Sequence, residues 1–284
     1  MSTMKVSFIG IGAIGLPMAL QIQQAGHDVT GIDVSQASVA NAQNQGLAAV
    51  LSHQAAPGAE VVVVMVATPG QLESLVQHVG DEASDQLWII MSTVGPDSVR
   101  AQGEALRRVG ARVVDAPVTG GVARARTGGL VLFVSGEVDD IQRADPILRA
   151  MGTPLHVGAR LGDGQAIKVV NQHLCSVHLV AAAEALNLAR GLGLDPAAVL
   201  PLIEKGAAGS WMLSDRGPRM LEGTDVEVTS AVTIFVKDSG LVATAAAAAK
   251  VEVPLLAQAH DRFQRAANAG LGARDDSRVI ETWQ

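Results

Sequence analysis

Residues 5–15 of the chain read KVSFIGIGAIG, and this stretch decides the fold. Lys5–Ile9 has the apolar, β-branched composition of a buried strand, and Ala13–Ala25 has the apolar spacing of a helix. Between them, the pattern G-x-G-x-x-G allows a tight turn that brings helix N–H groups close to a pyrophosphate. The stretch therefore predicts a dinucleotide-binding turn. Its cofactor contacts are assigned to Gly10, Ile11, Gly12, Ala13, Ile14 and Gly15.

A carboxylate follows the second predicted strand, Asp28–Ile32. Asp33 stands 18 residues after Gly15, close to the spacing at which an acidic side chain accepts hydrogen bonds from a ribose of NAD. The next residue is Val34 and not an arginine, so no cation is at hand for the 2′-phosphate of NADP. We predict that NAD is the cofactor, that NADP is less favoured, and that Asp33 and Val34 contact it. The competing interpretation is a glycine-rich turn with a capping aspartate and no cofactor.

Strand-like and helix-like segments alternate through the first half of the chain. The run VVVVMV at Val61–Val66 is apolar on both sides of a strand, which is typical of the centre of a parallel sheet. Further strand-like runs lie at Leu87–Met91, Arg112–Asp115, Leu130–Val134 and Pro154–Val157. This alternation predicts a parallel sheet with helices on both faces. Cofactor contacts at the end of the central strand are assigned to Val66, Ala67 and Thr68.

The pattern changes after Gly162, where the strand-like runs largely stop. Gln165–Arg190 contains neither proline nor glycine, and at 1.5 Å per residue it predicts a helix roughly 40 Å long. Helical segments follow at Asp195–Lys205, Phe235–Lys250 and Pro254–Ala269. We therefore predict a Rossmann-type α/β domain over residues 1–161 and an all-α domain over residues 162–284, joined by a long interdomain helix.

The composition of the 284-residue chain excludes several classes of function. Aromatic residues make up 2% and the formal net charge is −7, so a nucleic-acid partner is not expected. A single cysteine, Cys175, excludes a disulfide framework, and no two of the seven histidines are spaced i, i+4, so no metal site is predicted. The apolar runs stop short of a membrane span, and we expect a soluble, cytoplasmic protein without a membrane partner.

Three further segments contain polar groups suited to a small anionic substrate. DAPVTGG at residues 115–121 offers consecutive N–H groups and a hydroxyl, and its ordinary interpretation is a strand-to-helix turn. In GDGQAIKVVNQ at residues 162–172, Lys168 and Gln172 share a helix face at i, i+4, although most lysines in such a turn only extend their ammonium group to solvent. FVKD at residues 235–238 also fits a solvated helix start.

Taken together, these motifs resemble the β-hydroxyacid dehydrogenase family, the 3-hydroxyisobutyrate dehydrogenase-like enzymes, over nearly the whole chain. The resemblance rests on the glycine turn, on MSTVGP at residues 91–96, and on the three segments above. It implies that Lys168 is the catalytic general acid/base. It also implies substrate contacts at Thr93, Thr119, Gly120, Gly121, Gln172 and Asp238, and cofactor contacts at Thr93 and Lys237.

The chain departs from the family pattern at three positions. Thr119 stands where many members have serine, Gln172 where many have asparagine, and Ile14 where methionine is usual. The first two changes bear on the identity of the substrate. Residues 206–221, GAAGSWMLSDRGPRML, resemble the L-threonate dehydrogenase subgroup. We therefore predict an NAD-dependent oxidoreductase acting on L-threonate or a related sugar acid, which assembles as a homodimer or homotetramer.

Other functions are compatible with the same scaffold. The enzymatic alternatives are a 3-hydroxyisobutyrate dehydrogenase and a 2-hydroxy-3-oxopropionate reductase, and Asp33 disfavours an enzyme that uses NADPH. Imine reductases share the scaffold but, on the resemblance, usually lack the lysine. The non-enzymatic alternative is an NAD-sensing binding protein, which would have no need of a proton-transfer group at Lys168.

Overall fold

The computed structural model describes residues 3–55 and 58–283, and the chain forms two compact units, Met1–Lys168 and Val169–Gln284. The first unit is an α/β domain and the second is helical. The long helix α7 (Asp163–Gly191) begins in the first unit and continues in the second. The domain boundary between residues 161 and 162 stays a prediction.

Strands and helices alternate through the first unit, as the sequence predicts. The strands are β1 (Lys5–Ile9), β2 (Asp28–Ile32), β3 (Ala48–Val50), β4 (Val61–Val64), β5 (Leu87–Ile90), β6 (Arg112–Asp115), β7 (Val118–Thr119), β8 (Leu130–Gly136) and β9 (Gly152–Gly158). The helices are α1 (Gly15–Gln24), α2 (Gln36–Asn44), α3 (Pro69–Val79), α4 (Pro96–Arg108), α5 (Gly121–Ala125) and α6 (Val138–Met151).

The strands form one sheet in the order β3-β2-β1-β4-β5-β6-β8-β7, and β9 pairs with β8. Strands β1 to β6 are parallel, and the order reverses between β1 and β4, which is the switch point where such sheets bind ligands. The register aligns the ends of neighbouring strands, pairing Ile9 with Ile32 and Val64, Val64 with Ile90, and Ile90 with Asp115. The segments that follow these strands therefore begin at one edge of the sheet.

Two apolar layers cover the faces of this sheet. Phe8 of β1 packs in one layer with side chains of α1 and α6, whereas Ile9 packs in the other with Leu72 of α3 and Leu106 of α4. All residues of β4 are buried, as its continuous run of valines predicts. The Rossmann-type fold predicted from the sequence is confirmed for this unit.

The sheet differs from the prediction at its ends. Strands β3 and β7 have three and two residues, too few for a periodic pattern, and the sequence did not predict them. Strand β8 runs antiparallel to β6 and β7, so the sheet is not parallel throughout. The predicted strand Val61–Val66 ends at Val64, because the N–H group of Val66 leaves the strand pairing and donates to Ser92 Oγ at 2.8 Å.

The second unit is built from helices. After α7 come α8 (Pro196–Glu204), α9 (Trp211–Leu221), α10 (Val232–Ala249) and α11 (Pro254–Ala266), with a π-helical turn at Ala267–Leu271 and a 3₁₀ helix at Asp276–Trp283. The sequence did not predict α9, whose Gly217 and Pro218 suggest a break. Buried ion pairs hold it instead: Arg216 donates to both carboxylate oxygens of Asp276, at 3.1 and 3.0 Å.

Helix α10 is longer and more apolar than expected from the sequence. By length and composition alone it is the one helix in the described residues that is apolar enough to cross a membrane, with a mean hydropathy of 1.4 over 18 residues, 28% of them buried. The expectation that every apolar run stops short of a span therefore does not hold for α10, which starts three residues earlier than predicted. A single helix of this kind is weak evidence for a span, and the absence of a membrane partner stays a prediction.

Candidate active site

The glycine turn has the conformation that its sequence predicts. Gly10 has φ +92°, and a Cβ there would lie 2.3 Å from the carbonyl oxygen of Met65. A Cβ on Gly15 would lie 1.9 Å from the carbonyl oxygen of Gly10, so these two glycines are required by the protein itself. A Cβ on Gly12 would meet no atom within 4 Å. Its backbone faces open space, as the approach of a pyrophosphate requires.

Asp33 lies beside this turn at the end of β2. Its Oδ2 accepts a hydrogen bond from the N–H group of Ile11 at 3.1 Å, and its Oδ1 accepts one from Ser35 at 2.9 Å. These two bonds fix the carboxylate next to the glycine turn, and each oxygen keeps a further lone pair for a ribose hydroxyl. Val34 is 91% exposed. The residues of the turn and Asp33 therefore fit an NAD cofactor at the switch point.

The backbone of Val66, Ala67 and Thr68 is bonded within the first unit. Val66 donates to Ser92 Oγ, and the N–H groups of Ala67 and Thr68 donate to Gln71 Oε1 at 2.8 and 3.1 Å. The Thr68 side chain completes a capping box at the start of α3. Cofactor contacts of these three residues would therefore come from side chains and carbonyl groups, and they stay a prediction.

Asp115 is the centre of a buried hydrogen-bond network at the same edge. Its Oδ2 accepts from the N–H groups of Gly162 and Gln165 and from the Ser135 hydroxyl, and its Oδ1 accepts from Gln165 Nε2 at 3.0 Å. Burial raises the pKa of the Asp115 carboxyl to about 6, against the opposing effect of these hydrogen bonds. The network ties the end of β6 to the start of α7.

This pKa shift predicts a pH dependence of stability. A carboxyl with a raised pKa in the folded state favours folding when protonated, so its contribution is present at low pH and is lost as the pH rises through about 6. Between pH 7 and pH 5 the free energy of unfolding should rise by roughly 1 kcal/mol through Asp115. Urea unfolding of the wild type and of Asp115→Asn at both pH values measures this contribution. Parallel changes in the two proteins would contradict it.

The segment predicted to hold the substrate carboxylate follows directly. Thr119 pairs with Val131 at the end of β7. Gly120 and Gly121 then have φ +131° and +68°, a conformation that side chains rarely adopt. A Cβ on Gly120 would also lie 2.7 Å from Cδ of Arg124. The two glycines are thus needed for the turn itself, and their contact with a carboxylate stays a prediction.

Lys168 is buried on α7, with 6% of the residue exposed. This burial contradicts the interpretation of a lysine whose ammonium group reaches solvent. The turn before it contacts the other predicted segments, since a Cβ on Gly164 would lie 2.9 Å from Asp115 Oδ2 and 3.1 Å from Cδ of Pro117. The first unit therefore brings the start of the Lys168 helix against the segment that leads to Thr119.

In the second unit, the predicted residues of α7 and α10 come together. Gln172 Nε2 donates to Asp238 Oδ2 at 2.5 Å, and the Lys237 ammonium group lies 2.8 Å from Asp238 Oδ1. Asn171 Nδ2 donates to Gln172 Oε1 at 2.9 Å. Gln172 and Asp238 are both buried. The Asp238 carboxylate thereby orients the Gln172 amide, a contact that the sequence did not predict.

Sequence reasoning also missed Ser92, Asn171 and Gln165. Gln165 is fully buried and bonds to residues 50 to 73 positions away in the chain. The only local signal was a polar residue in an apolar helical turn. Within residues 3–55 and 58–283, no three His, Cys, Asp or Glu side chains are grouped to hold a metal ion.

Comparisons with known proteins cover the whole of both units. Residues 5–162 match the NAD-binding domain of 6-phosphogluconate dehydrogenase, and residues 162–283 match the NAD-binding domain of NADP-dependent 3-hydroxyisobutyrate dehydrogenase. An L-threonate dehydrogenase of Cupriavidus necator is 36% identical over 98% of this chain and 95% of its own length.

Two solved structures extend these similarities. A 3-hydroxyisobutyrate dehydrogenase from Salmonella typhimurium is 31% identical, with a TM-score of 0.91 over 98% of this chain and 99% of its own. The enzyme of the same name from Mycobacterium tuberculosis, solved with L-serine, is 30% identical, with a TM-score of 0.86 over 100% of both chains.

Proposed function

Since the chain belongs to the β-hydroxyacid dehydrogenase family, we propose that it transfers a hydride between a small hydroxy acid and NAD, with Lys168 as general acid/base. The family makes the chain an oxidoreductase that acts on CH–OH groups with an NAD(P) cofactor. The observation that carries the finer proposal is the burial of Lys168 on a helix turn hydrogen-bonded to the segments of Thr93 and Thr119.

Most of the groups proposed to bind the cofactor lie in the first unit. Bound NAD would accept the hydride at its nicotinamide ring. The glycine turn and the N-terminal N–H groups of α1 would hold its pyrophosphate, and Asp33 would accept hydrogen bonds from the ribose hydroxyls. Cofactor contacts of Thr93 and Lys237 are part of the same proposal.

The proton of the reacting hydroxyl is transferred by a side chain of the protein. In the oxidation, the Lys168 amine takes the proton of the substrate hydroxyl, and in the reduction the ammonium group returns it. The Gln172 amide supports the same oxygen and is oriented by its hydrogen bond to Asp238. Thr119, Gly120 and Gly121 hold the substrate carboxylate. A buried lysine in this place argues against the NAD-sensing alternative, since binding alone needs no proton acceptor.

The favoured substrate is L-threonate or a related sugar acid. This choice is supported by the L-threonate dehydrogenase relatives, at 36% and 31% identity, whereas the names of both solved structures support 3-hydroxyisobutyrate. Reduction of 2-hydroxy-3-oxopropionate with NADPH is the remaining alternative. We expect the highest kcat/KM with a sugar acid when purified protein is assayed against these three compounds. A higher kcat/KM with 3-hydroxyisobutyrate would show that the substrate assignment is wrong, and the proposed reaction type would stand.

The proposed enzyme is a homodimer or homotetramer, and its location in the cytoplasm stays a prediction. Val170, Leu174 and Leu188 are exposed apolar residues on one face of α7, with Val170 and Leu188 more than 60% exposed. A second copy of the chain would cover these side chains. We expect light scattering to give a mass of two or four times 29.2 kDa.

Glutamate at Leu188 tests this assembly, because a buried unpaired charge at an interface is unfavourable. Leu188→Glu should lower the mass measured by light scattering towards that of one chain. Leu51→Glu is the matched control, since Leu51 is 50% exposed in the first unit and should leave the mass unchanged. A wild-type protein with the mass of one chain would contradict the proposal.

A further inference from the structure

We propose that Gln165, held by Asp115, is the positioning residue that fixes the Thr93 loop and the helix turn of Lys168 relative to each other. This inference rests on the proposed function, because it concerns how the groups assigned to cofactor, substrate and proton transfer are held in place. Neither residue touches the reacting atoms in this proposal. Both act through the backbone that they bind.

Gln165 binds the backbone on both sides of Thr93. Its Nε2 donates to the carbonyl oxygen of Ser92 at 2.9 Å. Its Oε1 accepts from the N–H groups of Val94 and Gly95 at 3.1 and 3.0 Å. One side chain thus holds the peptide groups that flank Thr93 and, through them, sets the direction of the threonine side chain.

Asp115 fixes Gln165 from the other side. Its Oδ1 accepts the second amide hydrogen of Gln165, and its Oδ2 accepts the N–H groups of Gly162 and Gln165 at 3.1 and 3.0 Å. These N–H groups lie at the start of α7, where a carboxylate satisfies donors that the helix itself cannot pair. Lys168 follows Gln165 by three residues, within one turn of this anchored helix start.

The network permits a single orientation of the amide. A glutamine side chain has two N–H donors and one carbonyl oxygen with two lone pairs, and all four are used. If the amide were turned over, its N–H donors would face the N–H groups of Val94 and Gly95. Its oxygen would face the Ser92 carbonyl and the Asp115 carboxylate. Gln165, Asp115 and Ser135 have no exposed surface, so water cannot replace the lost bonds.

The same chain contains a glutamine suited as a control. Gln86 donates to the carbonyl oxygen of Ala59 and accepts from Trp88 Nε1, both at 3.1 Å, beside the amino end of β5. It is hydrogen-bonded within the same unit but lies at the opposite end of the strand from Thr93. Substitution there should affect stability without affecting the reaction.

An exchange of the two groups tests the proposal. Asp115→Asn alone sets the new amide donor against Gln165 Nε2, and Gln165→Glu alone sets two carboxyl groups against each other. The double variant, Asp115→Asn with Gln165→Glu, restores a donor–acceptor pair between the residues. It also keeps acceptors for Val94 and Gly95, but a carboxylate oxygen then faces the Ser92 carbonyl in place of the amide donor.

We expect each single variant to lower kcat by about 10- to 100-fold, the scale of a misplaced catalytic group, with KM and the Kd of NAD changed less than about threefold. The double variant should have a higher kcat than either single variant and a lower kcat than the wild type, because the bond to the Ser92 carbonyl is not restored. Gln86→Glu should keep the wild-type kcat. The melting temperature of each variant is measured as well, so that a lower kcat caused by unfolding is distinguished from a lower kcat of the folded protein.

Two results would overturn the proposal. One is a double variant whose kcat is no higher than that of the more active single variant. The other is a pair of single variants whose kcat matches that of Gln86→Glu at equal melting temperature. Lys168→Ala in the same assay reports separately on the proposed function. If Lys168→Ala kept its turnover, the proposed role of Lys168 would be wrong. The positioning role of Gln165 would still be tested by the two single variants, the double variant and Gln86→Glu.

Discussion

Lys168→Ala should lower kcat by about 10²-fold or more, which is the usual scale for losing a positioned general acid/base. The Kd of NAD should stay nearly unchanged, because the proposal assigns cofactor binding to the glycine turn and Asp33. Stopped-flow or steady-state formation of NADH measures the first quantity, and quenching of protein fluorescence on NAD binding measures the second. Gln172→Ala should lower kcat by a smaller factor, since in the proposal its amide only supports the oxygen whose proton Lys168 transfers.

Two further variants sharpen this prediction. Lys168→Arg should not restore the rate, because a guanidinium remains protonated at working pH and cannot accept the hydroxyl proton. Lys205→Ala, at an exposed lysine after α8, is the matched control and should keep the wild-type kcat. Near-normal turnover of Lys168→Ala would mean that the buried lysine has only a structural role.

The second large effect should come from Asp33. The wild type should have the higher kcat/KM with NAD, and Asp33→Ala combined with Val34→Arg should shift the ratio of kcat/KM towards NADP by about 10²-fold. In the proposed site, the double change removes a negative charge that would face the 2′-phosphate and adds a guanidinium that could pair with it. A charge-assisted hydrogen bond contributes roughly 1.5–3 kcal/mol, which supports a change of this size.

Asp33 is bonded to the backbone beside the glycine turn. Asp33 also accepts the N–H groups of Ile11 and Ser35, so its removal should lower kcat/KM with NAD as well. Val34→Arg alone is the control, because it adds the cation at an exposed position and leaves both hydrogen bonds in place. A wild-type preference for NADP, or a double variant that keeps the NAD preference, would contradict the assignment.

Much of the fold follows from local patterns. The strand Lys5–Ile9, the glycine turn and Asp33 lie within one βα-β unit, and the residue types there directly reflect the turn conformation and the buried sheet. Helix α9 did not follow from such patterns, because Gly217 and Pro218 weaken the local helix signal, whereas the contacts that hold the helix include buried ion pairs to a residue 60 positions away in the chain. Tertiary contacts outweigh local propensity in that case.

The site could be predicted only in part for the same reason. Lys168 and Gln172 share a helix face by spacing alone. The partners that hold the site, Asp115 for Gln165 and Asp238 for Gln172, are 50 and 66 residues away from them. No local periodicity reports such a contact, and the resemblance to the family supplied residue roles but not these hydrogen bonds.

Transfer of deuterium is the most direct test of the central claim, that this chain moves a hydride from the carbinol carbon of a hydroxy acid to NAD. L-Threonate and the competing hydroxy acids, each deuterated at the carbon that bears the reacting hydroxyl, are incubated with the wild-type protein and NAD. We predict that deuterium appears at C4 of the nicotinamide in the NADH that forms, and that Lys168→Ala forms it at least about 10²-fold more slowly. Protein that binds NAD but forms no deuterated NADH from any of these acids would contradict the account.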